Sequence, residues 1–373
     1  MSSRSDTKIP KVQTAAVVHE LGGPVIFQDD YPVPTPGQNE VLAKVLYSGV
    51  CQRDLHTKQG TAAGPDGLPI TEIALPHIGG HECVGRVVAI GPNTKPGIGI
   101  GQLVGIRFSS RICRRCQFCL AEKEQHCVKS TNHLHHEPGS FQEYIALDAD
   151  YLTILPADVD PVVIGPVLCA GLTAYKAVLS TSITMGEWLV VIGAGGGLGH
   201  LAVQYALAAG AQVVGVDAGW EKGRYLLNEL GVHAYVDVQT CDLTCAVLDI
   251  TSGGAHAIIV TADSADAFKS AADMLRVGGV LSCVGIPPGK AFIEVPVASI
   301  VIKSLRITGN LVGSLKECLE AVELVRMGVV KPKVVVREFR ELEGIYGELE
   351  RGEISGRVVV RIARDEQAPV LKI

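Results

Sequence analysis

Two kinds of hydrophobic pattern divide the chain near residue 165. Before that point, apolar and polar positions alternate in short runs such as VLAKVLY at 41–47, and turns rich in glycine, proline and asparagine separate the runs. Such alternation is typical of half-buried β-strands. Many short strands joined by glycine-rich turns predict a β-barrel-like first domain.

Beyond residue 165, continuous apolar runs alternate with longer amphipathic segments. The runs WLVVIG, AQVVGVD, AIIVTA and VLSCVGI predict buried strands, and the segments between them predict helices, including AFKSAADMLRVGG at 267–279. This alternation indicates βαβ units around a parallel sheet that is covered on both faces. We therefore predict an α/β protein of two domains that pack together.

Composition narrows the range of functions. The chain has 373 residues, of which 47% are hydrophobic and 19% charged, with a formal net charge of −6. That balance supplies a large core and argues against a nucleic-acid-binding surface. We find no apolar run that suits a secretory signal or a membrane span, and therefore expect a cytoplasmic protein without a membrane partner. Disulfides rarely persist in that compartment, so the 11 cysteines need another role, and metal binding is the first to consider.

Four of these cysteines lie close together in the segment CRRCQFCLAEKEQHC. Cys113, Cys116 and Cys119 are spaced so that three thiolates can surround one cation, and Cys127 can complete a tetrahedron. This spacing favours a closed structural Zn²⁺ site over an iron–sulfur cluster and over four unrelated core thiols. The arginines of the same segment are expected to form a solvated face: Arg111, Arg114 and Arg115.

The segment WLVVIGAGGGLGHLAVQYA predicts a strand, a glycine turn and a helix, which together present backbone N–H groups to a dinucleotide pyrophosphate. Gly193, Gly196 and Gly199 lie three apart, a departure from the strict GxGxxG spacing. Asp217, at the end of the next predicted strand, can bind adenosine ribose hydroxyls and repel a 2′-phosphate. The alternatives are a packing turn and a strand-end cap. We predict NAD(H) rather than NADP(H) as the cofactor.

Further segments complete a resemblance that runs nearly end to end. In chain order they are GGHECVGRVVAIG, the cysteine lobe, GSFQEYIALDA, PVLCAGLTAYKAV, GGLGHLAVQYA, VVGVDAG, VGIPPG and GRVVV. Together they resemble the zinc-dependent medium-chain dehydrogenase/reductase family, most closely its yeast-type alcohol dehydrogenase branch. The resemblance implies a GroES-like β-rich catalytic domain (1–165 and 313–373, with the zinc lobe at 113–127). It also implies a Rossmann domain with a doubly wound parallel sheet (166–312), and a homodimer or homotetramer.

The resemblance also assigns roles by position. Cys51, His81 and Cys169 would bind a catalytic Zn²⁺ with a fourth position open, so that two zinc ions are expected per chain. Glu82 would lie beside that metal, and Asp54 would orient the histidine ligand. His56 would end the proton relay. The cofactor would contact Gly195, Gly196, Gly197, Leu198, Gly199, Asp217, Lys222, Val284, Ile286, Val312 and Arg357. The implied reaction is hydride transfer between NAD(H) and a small alcohol or carbonyl substrate, with zinc as the Lewis acid.

Two residues depart from the family pattern beside the first ligand. Gln52 stands where the family has a cation that contacts the pyrophosphate, which predicts weaker cofactor binding. Arg53 stands where the family has the hydroxyl that passes on the substrate proton, and a guanidinium has no acceptor for that task. Arg53 could turn away and leave the relay to water, could bind an anionic or highly oxygenated substrate, or could accompany weak or lost activity. We favour the second interpretation.

Other function classes stay open at this point. A zinc-containing relative with non-redox elimination or addition chemistry, and a non-catalytic NAD-binding protein, are the alternatives. A cluster of histidines is expected to be a mobile loop rather than a third metal site: His133, His135 and His136. The remaining cysteines are expected to be small core residues: Cys83, Cys241, Cys245, Cys283 and Cys318.

Overall fold

The alternating pattern of the first part of the chain folds into a seven-stranded sheet. The computed structural model describes residues 9–363. The strand Glu40–Val50 is central, because it pairs with three other strands and nearly all of its residues are buried. The path of the sheet runs through Val334–Glu338, Arg357–Arg361, Glu40–Val50, Cys83–Ile90, Leu103–Ile106 and Thr153–Ile154, with Tyr144–Asp148 paired to the central strand.

Smaller elements surround this sheet. The strands Val12–Val17 and Ile26–Pro32 form an antiparallel pair. The helices Gln52–Gln59 and Leu342–Glu350 pack against each other. Two strands of the seven-stranded sheet, Val334–Glu338 and Arg357–Arg361, come from the C-terminal part of the chain. The chain therefore returns to the first domain. The prediction of a β-rich, GroES-like domain is confirmed.

The second part of the chain forms a six-stranded, entirely parallel sheet. Its strands lie side by side in the order Ala234–Asp237, Gln212–Asp217, Trp188–Ile192, Ala255–Val260, Leu275–Cys283 and Arg306–Gly309. In chain order this is 3-2-1-4-5-6, the arrangement of dinucleotide-binding sheets. The helices are Gly199–Ala208, Trp220–Tyr225 with a π-helical continuation Leu226–Leu230, Leu243–Ile250, Asp266–Lys269, Val297–Lys303 and Leu315–Arg326.

One predicted helix is wrong. Residues 267–279 are not a single helix, because the helix ends at Lys269 and the strand already begins at Leu275. Gly278 has φ +78°, and Gly279 follows it. Glycines are poor helix formers, and a positive φ breaks helical geometry. Here they form an irregularity in which the strand partners shift between Ala255 and Ala257.

A helix joins the two domains and places both in one core. Asp160 caps its start by accepting a hydrogen bond from the Val162 N–H at 2.9 Å. The helix widens into a π-helical turn at Val167–Gly171 and continues to Thr181. Within residues 9–363, the segment Pro161–Thr181 is the one helix long and apolar enough to cross a membrane. Most of it is buried among residues of both domains, as expected of a core helix.

Candidate active site and zinc-binding lobe

Three potential metal ligands from separate elements converge where the two domains meet. Cys51 follows the central strand Glu40–Val50, His81 precedes the strand Cys83–Ile90, and Cys169 lies in the π-helical turn. Their donor atoms lie within 4.8 Å of one another, and all three side chains are buried. His81 Nε2 is 3.2 Å from Cys169 Sγ. Two thiols and one imidazole that leave a fourth position free form a donor set that suits catalytic zinc.

Asp54 holds two of these ligands in place. Its carboxylate is completely buried and accepts from His81 Nδ1 at 3.0 Å, which turns His81 Nε2 toward the cysteines. It also accepts backbone N–H bonds from Gly80 and Cys51, both at 2.9 Å. A hydrogen bond from Cys169 lowers the pKa of Cys51 well below its usual value, and the resulting thiolate is the form that binds metal.

Glu82 lies beside the three ligands and pairs with a buried arginine. Arg357 Nη2 donates to Glu82 Oε1, while Glu82 Oε2 is buried without a partner. Burial raises the pKa of Glu82 to about 7, and the Arg357 charge opposes that rise. A Cβ on Gly49 would lie 2.2 Å from Glu82 Oε1, so this position has room for glycine alone. A buried carboxylate oxygen without a partner fits a site that receives a cation.

The cysteine lobe has the dimensions of a closed tetrahedral site. The Cys116 and Cys119 sulfurs are 3.6 Å apart, and the Cys113 and Cys119 sulfurs are 4.0 Å apart. A tetrahedron with Zn–S bonds of about 2.3 Å has S–S edges of about 3.8 Å. Cys127 Sγ completes the group and accepts the Cys113 N–H at 3.2 Å. All four sulfurs are thus directed at one another, and no position is left for a substrate.

Arg111, at the start of the cysteine lobe, forms ion pairs that connect the lobe to the barrel. Arg111 forms ion pairs with Glu40, with Glu137 at 3.1 Å and with Asp148 at 3.4 Å. Glu40 and Asp148 are opposite each other on paired strands, where two negative charges would repel each other. The positive charge of Arg111 between them offsets that repulsion. Arg111 is thus only partly solvated, with 39% of its side chain exposed. Arg114 and Arg115 are exposed, with Arg114 paired to Asp150.

The glycine turn lies at the carboxyl end of the first parallel strand. Gly193 adopts φ +85° directly after the strand ends, and the next helix begins at Gly199. A Cβ on Gly199 would lie 1.9 Å from the Gly193 carbonyl oxygen, so the close approach of helix and strand requires glycine there. Arg357 Nη1 would lie 2.8 Å from a Cβ on Gly197, so this arginine reaches the turn from the other domain.

Asp217 is fixed over this turn at the end of the second strand. Its Oδ2 accepts the Gly195 N–H at 2.8 Å, and its Oδ1 accepts from Lys222 Nζ at 2.9 Å and from the Ala218 N–H at 2.8 Å. The arrangement brings Asp217 and Lys222 together, as the family resemblance implies for an adenosine ribose site. Gly196 and Leu198 lie in the same turn.

The residues predicted at the nicotinamide end follow the outer strands of the same sheet. Val284 comes directly after the strand Leu275–Cys283 and is buried, whereas Ile286 is half exposed. Val312 follows the last strand and has φ +38°, a backbone conformation that a β-branched residue rarely adopts. Strain of this kind clusters at functional sites.

Comparisons with known proteins show which family the chain belongs to. Residues 37–157 match the family described as alcohol dehydrogenase GroES-like domain, and residues 197–326 match the family described as zinc-binding dehydrogenase. An alcohol dehydrogenase of Schizosaccharomyces pombe is 36% identical over 358 residues, which cover 95% of this chain and 99% of that protein. The chain belongs to the zinc-dependent medium-chain dehydrogenase/reductase family.

Other proteins similar to this dehydrogenase are also named as alcohol dehydrogenases or as a ketone reductase. Alcohol dehydrogenase 1 of Neurospora crassa is 37% identical over 356 residues, covering 95% and 98% of the two chains. The alcohol dehydrogenase of the archaeon Aeropyrum pernix superposes with a TM-score of 0.84 at 28% identity, covering 93% and 99%. An acetophenone reductase of Geotrichum candidum, solved with NAD, superposes with a TM-score of 0.81 at 26% identity, covering 96% and 100%.

In this dehydrogenase, His56 faces a carboxylate from the other domain. His56 Nε2 lies 3.4 Å from Asp263 Oδ2 and 3.3 Å from Gln52 Nε2. Burial lowers the pKa of His56 and raises the pKa of Asp263 to about 6. Sequence reasoning missed Asp263. It follows the strand Ala255–Val260, and the rule that ligands bind at the carboxyl ends of parallel strands could have found it.

Arg53 is held by the barrel and does not extend into solvent. Its Nη2 donates to the Ala63 carbonyl oxygen at 2.9 Å, and its Nη1 is buried without a partner. Burial lowers the pKa of Arg53, and the nearby Cys51 and Asp263 oppose that shift.

Two expectations, one about a histidine cluster and one about the remaining cysteines, need correction. His133 and His135 are buried, so they do not form a mobile surface loop, although His136 is exposed. The loop folds inward because the Asn132 side chain accepts the backbone N–H groups of Leu134 and His135. Cys241 and Cys245 are exposed and therefore not core residues, since they flank the start of the surface helix Leu243–Ile250, and Cys283 is half-buried. The buried ones are Cys83 and Cys318.

Proposed function

We propose that this zinc-binding dehydrogenase transfers hydride between NAD(H) and an alcohol, aldehyde or ketone, including anionic or oxygen-rich ones. The observation that supports the cofactor choice is the Asp217 carboxylate, which is tied to the Gly195 N–H and to Lys222 above the glycine turn. A carboxylate there accepts hydrogen bonds from ribose hydroxyls and repels a 2′-phosphate. The N–H groups at the start of the helix Gly199–Ala208 would receive the pyrophosphate.

The residues at the domain junction would position the reacting groups. Cys51, His81 and Cys169 would hold a zinc ion, which supplies Lewis-acid polarisation of an alcohol or carbonyl oxygen. Asp54 keeps the proton on His81 Nδ1 and so keeps Nε2 available as a ligand. Val284, Ile286 and Val312 would line the nicotinamide side of the cleft and exclude water from it.

The proton of the substrate hydroxyl needs a route that Arg53 does not provide. His56 Nε2 is the acceptor we assign, and Asp263 Oδ2, 3.4 Å away, would stabilise the protonated ring. Water would link the hydroxyl to His56, because a guanidinium cannot accept a proton. Glu82 and Arg357 would balance charge between the metal site and the cofactor turn.

The domain assignment and the assembly state belong to the same proposal. We assign 166–312 to the cofactor domain and the flanking segments to the catalytic domain, in a cytoplasmic homodimer or homotetramer. An exposed outer strand, Arg306–Gly309, and the exposed apolar residues Val301 and Ile302 nearby support self-association, because unpaired edge strands and apolar patches favour pairing with a second copy.

Cofactor preference tests this proposal. We expect the wild-type enzyme to oxidise NADH with a carbonyl panel far faster than NADPH. Asp217→Ala should raise the kcat/KM ratio of NADPH to NADH by about 100-fold, since the repelling carboxylate is lost. The exposed Asp249→Asn variant is the control and should keep the wild-type ratio. A wild-type preference for NADPH would contradict the cofactor assignment. No oxidation of either cofactor by any carbonyl would favour non-redox chemistry.

A further inference from the structure

Among the described residues, four buried side-chain nitrogens near the candidate active site have no hydrogen-bond partner. One of them, Arg357 Nε, belongs to the side chain that pairs with Glu82, and the other three are Arg53 Nη1, His77 Nε2 and His135 Nε2. The histidines are only 4% and 8% exposed. Buried polar atoms are nearly always paired, and each unpaired one costs stability. Three of them close to one site indicate a place that a ligand with complementary atoms would fill.

The hydrogen bonds around His135 determine which of its nitrogens carries the proton. The Asn132 Oδ1 accepts the backbone N–H groups of Leu134 at 3.0 Å and His135 at 2.8 Å, which fixes the orientation of the amide. The Asn132 Nδ2 therefore points as a donor at His135 Nδ1, 3.4 Å away. Because Nδ1 is the acceptor, the ring proton of the neutral histidine is on Nε2. His135 Nε2 is thus a buried donor without an acceptor.

Arg53 presents a second donor of the same kind. Its Nη2 is engaged by the Ala63 carbonyl oxygen, and its Nη1 has no acceptor. Arg53 lies in the first turn of the helix that follows Cys51, and its charge adds to burial in lowering the pKa of His135. The Phe108 ring contacts both the His81 ring and the His135 ring edge to face, with centroid distances of 6.2 and 6.4 Å. His135 is therefore one aromatic ring away from the candidate ligand His81, and Arg53 is two residues away from the candidate ligand Cys51.

We propose that Arg53 and His135 bind a carboxylate of the substrate, so that the enzyme acts on aldehydes, ketones or alcohols that also carry a carboxylate group. A carboxylate has only acceptors, and its two oxygens match one charged and one neutral donor. A neutral hydroxyl would bring a donor of its own and satisfy the pair less well. The charges around Arg53 are mixed, since the Asp263 carboxylate also lies near it. This inference rests on the proposed function, whose carbonyl-reducing activity it makes more specific.

Matched substrate pairs test the substrate class. The enzyme is assayed with NADH on ω-oxo acids of two to five carbons and on the n-alkanals of equal length. We expect the acid to have a kcat/KM at least about tenfold above its alkanal at one or more lengths, in keeping with a charge-assisted hydrogen bond. Arg53→Gln and His135→Leu should reduce that ratio toward one, and Arg53→Lys should retain part of it. Two exposed residues away from the site serve as controls, and Arg115→Gln and His19→Leu should keep the wild-type ratio.

A binding measurement separates this inference from the proposed function. Calorimetric titration of the zinc-loaded protein with butanoate should give a Kd that weakens about tenfold or more in Arg53→Gln and His135→Leu, but not in the two controls. Equal ratios for acids and alkanals in wild type and variants, or butanoate binding that ignores both substitutions, would overturn the carboxylate site while carbonyl reduction stands. If no carbonyl is reduced at all, the proposed function fails, and the butanoate titration still decides whether the carboxylate site exists.

Discussion

The two cysteine-containing sites of this dehydrogenase differ in how much of the fold each one needs. The lobe takes all four sulfurs from residues 113–127, and backbone N–H groups of residues 113–129 contact them. The second site takes Cys51, His81 and Cys169 from elements far apart in the chain, and a buried carboxylate holds two of them. The first site is a local motif, whereas the second exists only when both domains have assembled.

This difference matches the chemistry expected of a structural metal site in the lobe and of a catalytic metal site at the domain junction. The lobe closes a tetrahedron with protein atoms alone, so a metal there can only stabilise structure. The dispersed site leaves a fourth position and lies where the barrel meets the cofactor sheet. A site that must bring a substrate oxygen to a nicotinamide has to draw its parts from both domains. Substitutions in the two sites should therefore affect different properties.

The largest effect is expected at the dispersed site. Cys169→Ala would remove one of the three proposed ligands, and we expect NADH-linked activity to fall by about 10³-fold or more. Zinc content should fall from about two ions per chain to about one, while the melting temperature changes little because the lobe stays intact. Metal analysis, a turnover assay and a thermal melt check this together. The matched control is Cys245→Ser, an exposed cysteine outside both clusters. Retained activity in Cys169→Ala would show that the dispersed site is not the catalytic one.

The opposite pattern is expected in the lobe. Cys116→Ser should also remove about one zinc ion per chain but lower the melting temperature by about 5 °C or more, because metal binding there stabilises the folded segment. The specific activity of the remaining folded enzyme should stay within about twofold of wild type. A large loss of turnover at an unchanged melting temperature would contradict the division of roles.

The smallest effect concerns how the lobe is fastened to the barrel. Arg111→Gln removes ion pairs to Glu40, Glu137 and Asp148, all of them partly exposed. Because such pairs are screened by solvent, we expect a decrease in melting temperature of only about 1–3 °C, which should shrink at high salt. The exposed Arg115→Gln variant should not change it. A shift that salt does not reduce would mean that packing of the Arg111 side chain, rather than its charge, matters.

The same contrast explains what the sequence could predict. The lobe, the glycine turn and the parallel strands depend on residues close together in the chain. The spacing of those residues was therefore sufficient to predict them. The dispersed ligands could be joined only through a resemblance, because no spacing rule connects Cys51 to Cys169. Asp263 was missed as the partner of His56, and His135 as a buried residue against Phe108, since both contacts arise from the packing of distant segments. The prediction of one helix at 267–279 was wrong, because the glycine pair at its end belongs to an irregular strand.

We predict that one chain holds two zinc ions in sites of different design. The decisive measurement is anomalous diffraction at the zinc absorption edge, from crystals of the protein purified with its metal. Two peaks per chain are expected. One should be surrounded by the sulfurs of Cys113, Cys116, Cys119 and Cys127, and the other should be bound by Cys51, His81 and Cys169. A single peak in the lobe, or a second peak away from these three residues, would contradict it.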